Sequence, residues 1–357
     1  MVTSHKIDEN EMGYRGSKSV LINKTVKEQR VDGSWCNNLL HLRCTLMGLE
    51  TGYQIKILSK QLNINKNKRY FSILVQNSKL NPWFVSGFSD AEASFGISIY
   101  IDKRIQGRSG WAVKPSFQIS LNSKDINLLL QLQEFFGCGV IVSKNTRSES
   151  SFRVNSIQDL INFIIPHFST YPLISQKAAD FILFQKIVKL MNNKVHLTED
   201  GLQQIINIRA SMNWGLSDLQ KFKFPHYNQV ARPIISYPKI LNPNWFAGFV
   251  SGDGCFFVSI FKSNKNKIGH AVQLIFKLTQ HKRDKELLGL IAKYLNCGAV
   301  YYHSKNAFVF KVTKFADMIK IIISMFKVNL IQGIKWLDYQ DFCKVAALMV
   351  EEKHLTG

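Results

Sequence analysis

The stretch that most constrains this 357-residue chain is written twice. Residues 80–99 read LNPWFVSGFSDAEASFGISI, and residues 241–260 read LNPNWFAGFVSGDGCFFVSI. The two align without a gap: Gly87 meets Gly248, Phe88 meets Phe249, Glu92 meets Asp253, and Ser98 and Ile99 meet Ser259 and Ile260. The period of an internal repeat sets the architecture. Here it is 161 residues (248 − 87), the size of a domain and far longer than a solenoid unit. A duplicated domain with pseudo-twofold symmetry is the expected result.

Each copy opens like a helix. Pro82 and Pro243 suit a first turn, where proline's missing N–H costs nothing. Small residues then stand one turn apart, Gly87 with Ala91 and Gly248 with Gly252. Such strips let two backbones approach closely, the steric basis of the GxxxG rule. The two stretches are therefore read as helices packed side by side through these strips. The competing reading, incidental interior glycines at about 1 kcal/mol each, does not account for their shared register. Each helix ends in an acid, Glu92 or Asp253. A carboxylate there faces the negative end of the helix dipole, unfavourable by roughly 0.3–1 kcal/mol, and two acids at touching helix ends repel. The arrangement makes sense around a cation. Carboxylate oxygens favour Mg²⁺, which keeps waters and takes one or two carboxylates plus phosphate oxygens. The plain alternative is two solvated helix-end acids.

These residues carry a resemblance. VSGFSDAEA at 85–93 and FAGFVSGDG at 246–254 resemble the paired motifs of the LAGLIDADG homing endonucleases, in the single-chain, two-repeat form found in organellar group I introns. The resemblance implies an α+β fold of two αββαββα-like domains, each an antiparallel four-stranded saddle sheet backed by helices. It implies that Glu92 and Asp253 are catalytic and bind Mg²⁺ or another divalent cation such as Mn²⁺. It also implies a basic helper at Lys177 and Lys335, which match at an offset of 158, and a pocket glutamine at Gln280. Leu121 stands where Gln280 does in the other copy, so the two pockets are not equivalent. Ala93 replaces a usual glycine, and Ser251 replaces the acid that the first copy keeps as Asp90. A mitochondrial location follows from the resemblance alone; the polar, mixed-charge first 35 residues resemble no secretory signal.

The formal net charge is +21, which calls for a polyanionic partner, most simply nucleic acid. No amphipathic basic helix and no run near the ~18 apolar residues of a membrane span supports a membrane partner. The six cysteines show no zinc spacing, and Cys138 and Cys297 fall at matching places as GCG and NCG, which favours packing in a reducing compartment.

Four segments are expected. Residues 1–78 form a leader, largely disordered or linker, with some helical patterning at 41–62. A first domain spans 79–195 and a second 241–357. Between them, 196–240 is a linker with one capped helix followed by an irregular crossover holding Pro225, Pro233 and Pro238. In each domain, period-two alternation marks strands with one buried face: Phe95, Ile97, Ile99 and Ile101 in the first, Phe256, Val258 and Ile260 in the second. A turn is read at 106–110. Ser123 and Asp125 read as the opening of the following helix, and FQISLNSKD at 117–125 matches FKLTQHKRD at 276–284.

The outward strand faces carry Ser98, Tyr100, Lys114, Gln118, Ser120 and Arg153 in one copy. In the other they carry Ser259, Lys277, Thr279, Tyr301, His303 and Lys311. β-ribbons fit the major groove, where such side chains address base edges. Acids are nearly absent from both faces, which separates them from ordinary solvated sheets. The reading is a monomeric, site-specific double-strand DNA endonuclease with a long, non-palindromic target. An RNA-binding intron maturase on the same scaffold is the alternative, alone or in addition. A DNA-binding protein without catalysis is the third reading.

Overall fold

The computed structural model describes residues 79–355, save 105–109, 145–147, 265 and 267. The expected leader, the patterning at 41–62 and most of the 106–110 turn lie outside the described residues.

The first half runs α1 (Pro82–Glu92), β1 (Ala93–Ile101), β2 (Trp111–Asn122), α2 (Ile126–Phe136), β3 (Val140–Lys144), β4 (Glu149–Val154), α3 (157–170) and α4 (Lys177–Asn192). The connecting segment holds α5 (Glu199–Arg209) and α6 (Asp218–Lys223). The second half repeats the first: α7 (Pro243–Asp253), β5 (Gly254–Lys262), β6 (His270–His281), α8 (Lys285–Leu295), β7 (Ala299–Ser304), β8 (Ala307–Val312), α9 (315–328) and α10 (Lys335–Val350). Both sheets are antiparallel and four-stranded, ordered β1-β2-β4-β3 and β5-β6-β8-β7.

The local chemistry follows the repeat. Asn81 and Asn242 cap α1 and α7: each side-chain oxygen accepts a first-turn N–H at 2.9 Å, with proline next in the chain. Both helices stop where Ala93 and Gly254 turn extended and begin a strand. Gly137 ends α2 in the left-handed region, at φ 66°. Behind each sheet lies a phenylalanine core at matched positions. Phe95, Phe117, Phe152, Phe168 and Phe184 correspond to Phe256, Phe276, Phe310, Phe326 and Phe342, all buried. Phe95 lies 5.2 Å from Phe117, and Phe256 lies 5.3 Å from Phe276.

Three features differ from the sequence expectation. Ile101 and Ile260 are exposed; Ile101 is the last residue of β1 and Ile260 the third from the end of β5. Phe257, which the alternation of Phe256, Val258 and Ile260 turns to the outer face, is buried: it stands opposite Ile275 there, and the Lys277 ammonium lies 5.4 Å from its ring centroid. The crossover is not wholly irregular. Ser217 and Gln220 form a capping box that starts α6.

The connecting segment follows the free edge of β1. Asn213 Nδ2 donates to the Phe95 carbonyl at 2.9 Å, Arg209 Nε to Ile97 at 3.1 Å and Gln220 Nε2 to Ile99 at 2.9 Å. Alternate carbonyls of an edge strand thus gain side-chain donors in place of a neighbouring strand. Phe224 packs on Trp111 at 5.1 Å, and Arg232 clamps Asp180 of α4 with two bonds of 2.7 and 3.0 Å.

Candidate active site

α1 and α7 meet where the glycines predicted. A Cβ placed on Gly87 would collide with the Trp245 carbonyl and lie 2.9 Å from Phe249 N. One on Gly248 would collide with the Phe84 carbonyl and lie 2.8 Å from Phe88 N. Backbone touches backbone, reciprocally, across the pseudo-twofold. One turn on, a Cβ on Gly252 would run into the Ala91 methyl and sit 3.0 Å from Glu92 Cγ and 3.3 Å from Glu92 Oε1. The Glu92 side chain therefore lies over the last turn of α7, beside the residue that precedes Asp253. The close contact brings the two acids to one place.

The predicted helpers gather there. Gln280 Nε2 donates to Asp253 Oδ2 at 2.7 Å, a bond that Leu121 cannot supply in the other half. Lys177 and Lys335 are the first residues of α4 and α10. Lys177 Nζ donates to the carbonyls of Ser89 at 3.1 Å and Ala91 at 3.2 Å, and Lys335 Nζ donates to the carbonyl of Gly252. Each lysine thus offsets the negative end of a motif helix just where its acid sits. Burial pushes the Lys177 ammonium below its ordinary value, while Asp90, Asp253 and Glu92 pull it back up. One lysine thereby senses both acids.

Asp90 turns out to be an anchor. Buried on α1, its Oδ1 accepts from Ser175 N at 3.2 Å and Ser175 Oγ at 2.6 Å. Its Oδ2 accepts from Ile174 N at 2.7 Å and from the indole N–H of Trp245, on the other motif helix, at 2.8 Å. Burial raises its pKa to about 6 against these donors. Ser251 does a smaller version of the same work, accepting from Gln332 N at 3.1 Å and donating to Ala247 O at 2.8 Å. The residue that matches Trp245 in the repeat is Phe84, whose side chain has no donor to offer an acid; the change from acid to serine matches that loss.

Strand register puts the predicted binding residues on one face of each sheet. Ser98 stands opposite Lys114, Tyr100 opposite Ala112, Gln118 opposite Arg153 and Ser120 opposite Ser151. Ser259 stands opposite Gln273, Lys277 opposite Lys311, and Thr279 and Tyr301 both opposite Val309. His303 falls at an irregularity between Tyr302 and Ser304. The nitrogen Nε of Arg153 is buried without a hydrogen-bond partner. The acid on the first face, Glu149, is buried at its rim opposite Asn122 and Lys144.

Sequence reasoning missed Asp125 and Asp284. Asp125 was expected to open its own helix, and Asp284 is its match in the other copy; each stands just before its helix, yet neither side chain caps it. Asp284 Oδ1 accepts from Gln176 N, and Asp125 Oδ1 from Ile334 N, each at 2.7 Å and each from the opposite half. Their signal was the shared aspartate that closes the matched segments 117–125 and 276–284.

The profile of the family described as LAGLIDADG endonuclease matches residues 85–188 and 246–346. "Probable intron-encoded endonuclease 3" of Neurospora crassa is 44% identical over 99% of this chain and 69% of its own length. The "Uncharacterized 50.9 kDa protein in ND4 intron 1" of Podospora anserina is 41% identical over 49% of this chain and 41% of its own length. Among solved structures, the I-SmaMI LAGLIDADG homing endonuclease bound to cleaved DNA is 40% identical, covers 78% of this chain and 93% of its own, and superposes with a TM-score of 0.76. The same enzyme has been solved on uncleaved DNA with calcium ions, at a TM-score of 0.75. With two matched repeats, the fold and the convergent acids agreeing, the chain belongs to the LAGLIDADG endonuclease family.

Proposed function

We propose that this chain cuts both strands of a long, asymmetric DNA site using Mg²⁺ or Mn²⁺ held at Glu92 and Asp253. The observation that carries the reading is the backbone-tight contact of α1 and α7, which holds two helix-end acids together against both their repulsion and the helix dipoles. The donor set fits such an ion. Two carboxylates suit Mg²⁺, which completes its shell with waters and phosphate oxygens. Among the described residues no group of three or more His, Cys, Asp or Glu gathers to enclose an ion without substrate. When bound, the ion supplies Lewis acidity to the phosphodiester and acidifies a water.

The chain's own residues do the rest. Gln280 fixes the Asp253 carboxylate, and Lys177 and Lys335 neutralise the carbonyl ends beside the acids. Residues 79–195 and 241–357 each take one half-site on the outer sheet face, and 196–240 tethers them. The two faces differ at many positions, so the half-sites differ. Support for DNA as the partner comes from the net charge of +21 and from the DNA-bound relative. Action in the mitochondrion rests on the relative encoded in an ND4 intron.

The test is substitution of the acids. In Mg²⁺, Glu92→Gln or Asp253→Asn should abolish double-strand cutting of a target selected from a randomised library. Duplex affinity, measured in Ca²⁺, should stay largely unchanged because the strands carry it. A double variant that still linearises the target overturns the assignment.

A further inference from the structure

We propose that Asp125 and Asp284 are positioning residues for cleavage: each reaches across to the opposite half and fixes the helix start that presents Lys335 or Lys177 to a catalytic acid. The inference rests on the reading that Glu92 and Asp253 cut DNA.

Two matched chains of contacts carry it. In one, Asp284 Oδ1 accepts the Gln176 N–H at 2.7 Å; the next residue, Lys177, donates to Ala91 O at 3.2 Å; and the residue after Ala91 is Glu92. In the other, Asp125 Oδ1 accepts the Ile334 N–H at 2.7 Å; the next residue, Lys335, donates to Gly252 O; and the residue after Gly252 is Asp253. Each chain crosses once, from the half that holds the aspartate to the half that holds the lysine and its acid. An acid at a helix start is favourable through the dipole and satisfies an N–H the helix itself cannot use. A helix-cap role within its own half would suffice for stability, yet neither aspartate bonds its own helix. Asp284 is only 4% exposed, so its carboxylate is tolerated because the Gln176 N–H and the neighbouring charges of Arg283 and Lys177 receive it. At the other site, the Asp125 carboxylate occupies the space a Cβ on Gly333 would need, 2.6 Å from Oδ1. Gly333, at φ 72°, therefore lets the acid come close.

Each aspartate serves one lysine, so losing one should weaken one of the two cuts. The full chain is made with Asp284→Ala, Asp284→Asn, Asp125→Ala and Asp125→Asn. The first readout needs neither metal nor DNA. In Asp284→Ala the Gln176 amide should exchange with deuterium at least about tenfold faster while Ile334 is unchanged, and Asp125→Ala should do the reverse. Asparagine keeps an acceptor oxygen and should restore protection in both. The second readout is the rate of each strand's cleavage in a supercoiled plasmid carrying the target, in Mg²⁺. Asp284→Ala should slow one strand by about tenfold or more, so that nicked circles accumulate, and Asp125→Ala should slow the other.

Strand rates are compared within one reaction, so a smaller folded fraction lowers both alike and does not imitate the effect. Should an alanine variant not fold, Asp284→Ser or Asp125→Ser replaces it: the side chain stays polar but ends short of the amide. Equal slowing of both strands, no slowing, or unchanged exchange overturns the positioning role. A wild-type chain that cuts no selected DNA overturns the cleavage reading itself, a distinguishable result.

Discussion

Asp90 shows how one buried carboxylate ties three elements together. It receives donors from the loop before α4 and from Trp245 of the opposite motif helix, and burial raises its pKa from 3.8 to about 6. Above about pH 6 it is ionised whether the chain is folded or not, and its burial costs stability. Below the unfolded value of 3.8 it is protonated in both states and the cost is gone. Between the two the folded chain holds the extra proton, so its contribution to stability falls as pH rises. Urea denaturation from pH 4 to 7 should show wild-type stability falling relative to Asp90→Asn by up to roughly 3 kcal/mol. Parallel curves would contradict this. Gln280 offers a second residue-scale prediction. Gln280→Leu copies the Leu121 pocket, removes the bond to Asp253, and should slow one strand's cleavage by roughly tenfold. End-labelled duplex, with each strand labelled in turn, measures it. At this scale the repeat gave away the acids, the glycines and the matched lysines, because contact positions recur at one offset. Asp125 and Asp284 were visible as a matched pair but not as cross-half caps. Their own helices follow directly in sequence, whereas their partners lie 209 and 108 residues away.

At the scale of elements, the α1–α7 contact leaves no room for a side chain. Gly248→Val would drive methyl groups into the Phe84 backbone. Overpacking of this kind costs about 1–3 kcal/mol, and a displacement of about 1 Å at the acids can cost 10²-fold in rate. Cleavage should therefore fall further than melting temperature. Gly289 of α8 is the contrast, since a Cβ there meets nothing within 4 Å. Gly289→Ala should raise stability by up to about 1 kcal/mol, the helix-propensity difference, and leave cutting alone. If Gly248→Val behaves like Gly289→Ala, the helix contact is not what holds the site. Most elements were readable from period-two and helical patterns, since each sheet has one buried face. α6 was not, because Pro225, Pro233 and Pro238 dominate that segment's signals. The Ser217–Gln220 capping pair was the clue. The buried pair Phe257 and Ile275 escaped for a different reason: alternation assigns a face, but not whether two apolar neighbours on that face shield one another.

For the molecule as a whole, a formal charge of +21 implies many phosphate contacts. Duplex affinity should fall by roughly 10³ or more between 50 and 200 mM salt. Fluorescence anisotropy with the target duplex and with an equally long intron RNA measures this, and a flat response would point away from nucleic acid. The segment lying along β1 has a further consequence, for the order in which the protein is made. Synthesis proceeds from the N-terminus, and domains fold as units as they emerge. Residues 209–220, which cover the carbonyls of Phe95, Ile97 and Ile99, leave the ribosome before Pro243 does. The first half can therefore finish its sheet, edge included, while α7 is still unmade. What it then lacks are its cross-half partners: the backbone that meets the Gly87 strip, the Trp245 donor to Asp90, the Asp284 acceptor for Gln176 N and the Ile334 donor to Asp125. The second half is born against a finished template, and among the described residues no second segment of this kind follows β5. Pulse-labelled hydrogen exchange on chains stalled during synthesis should find β1 protected before β5, with Glu92 and Asp253 brought together as the last event.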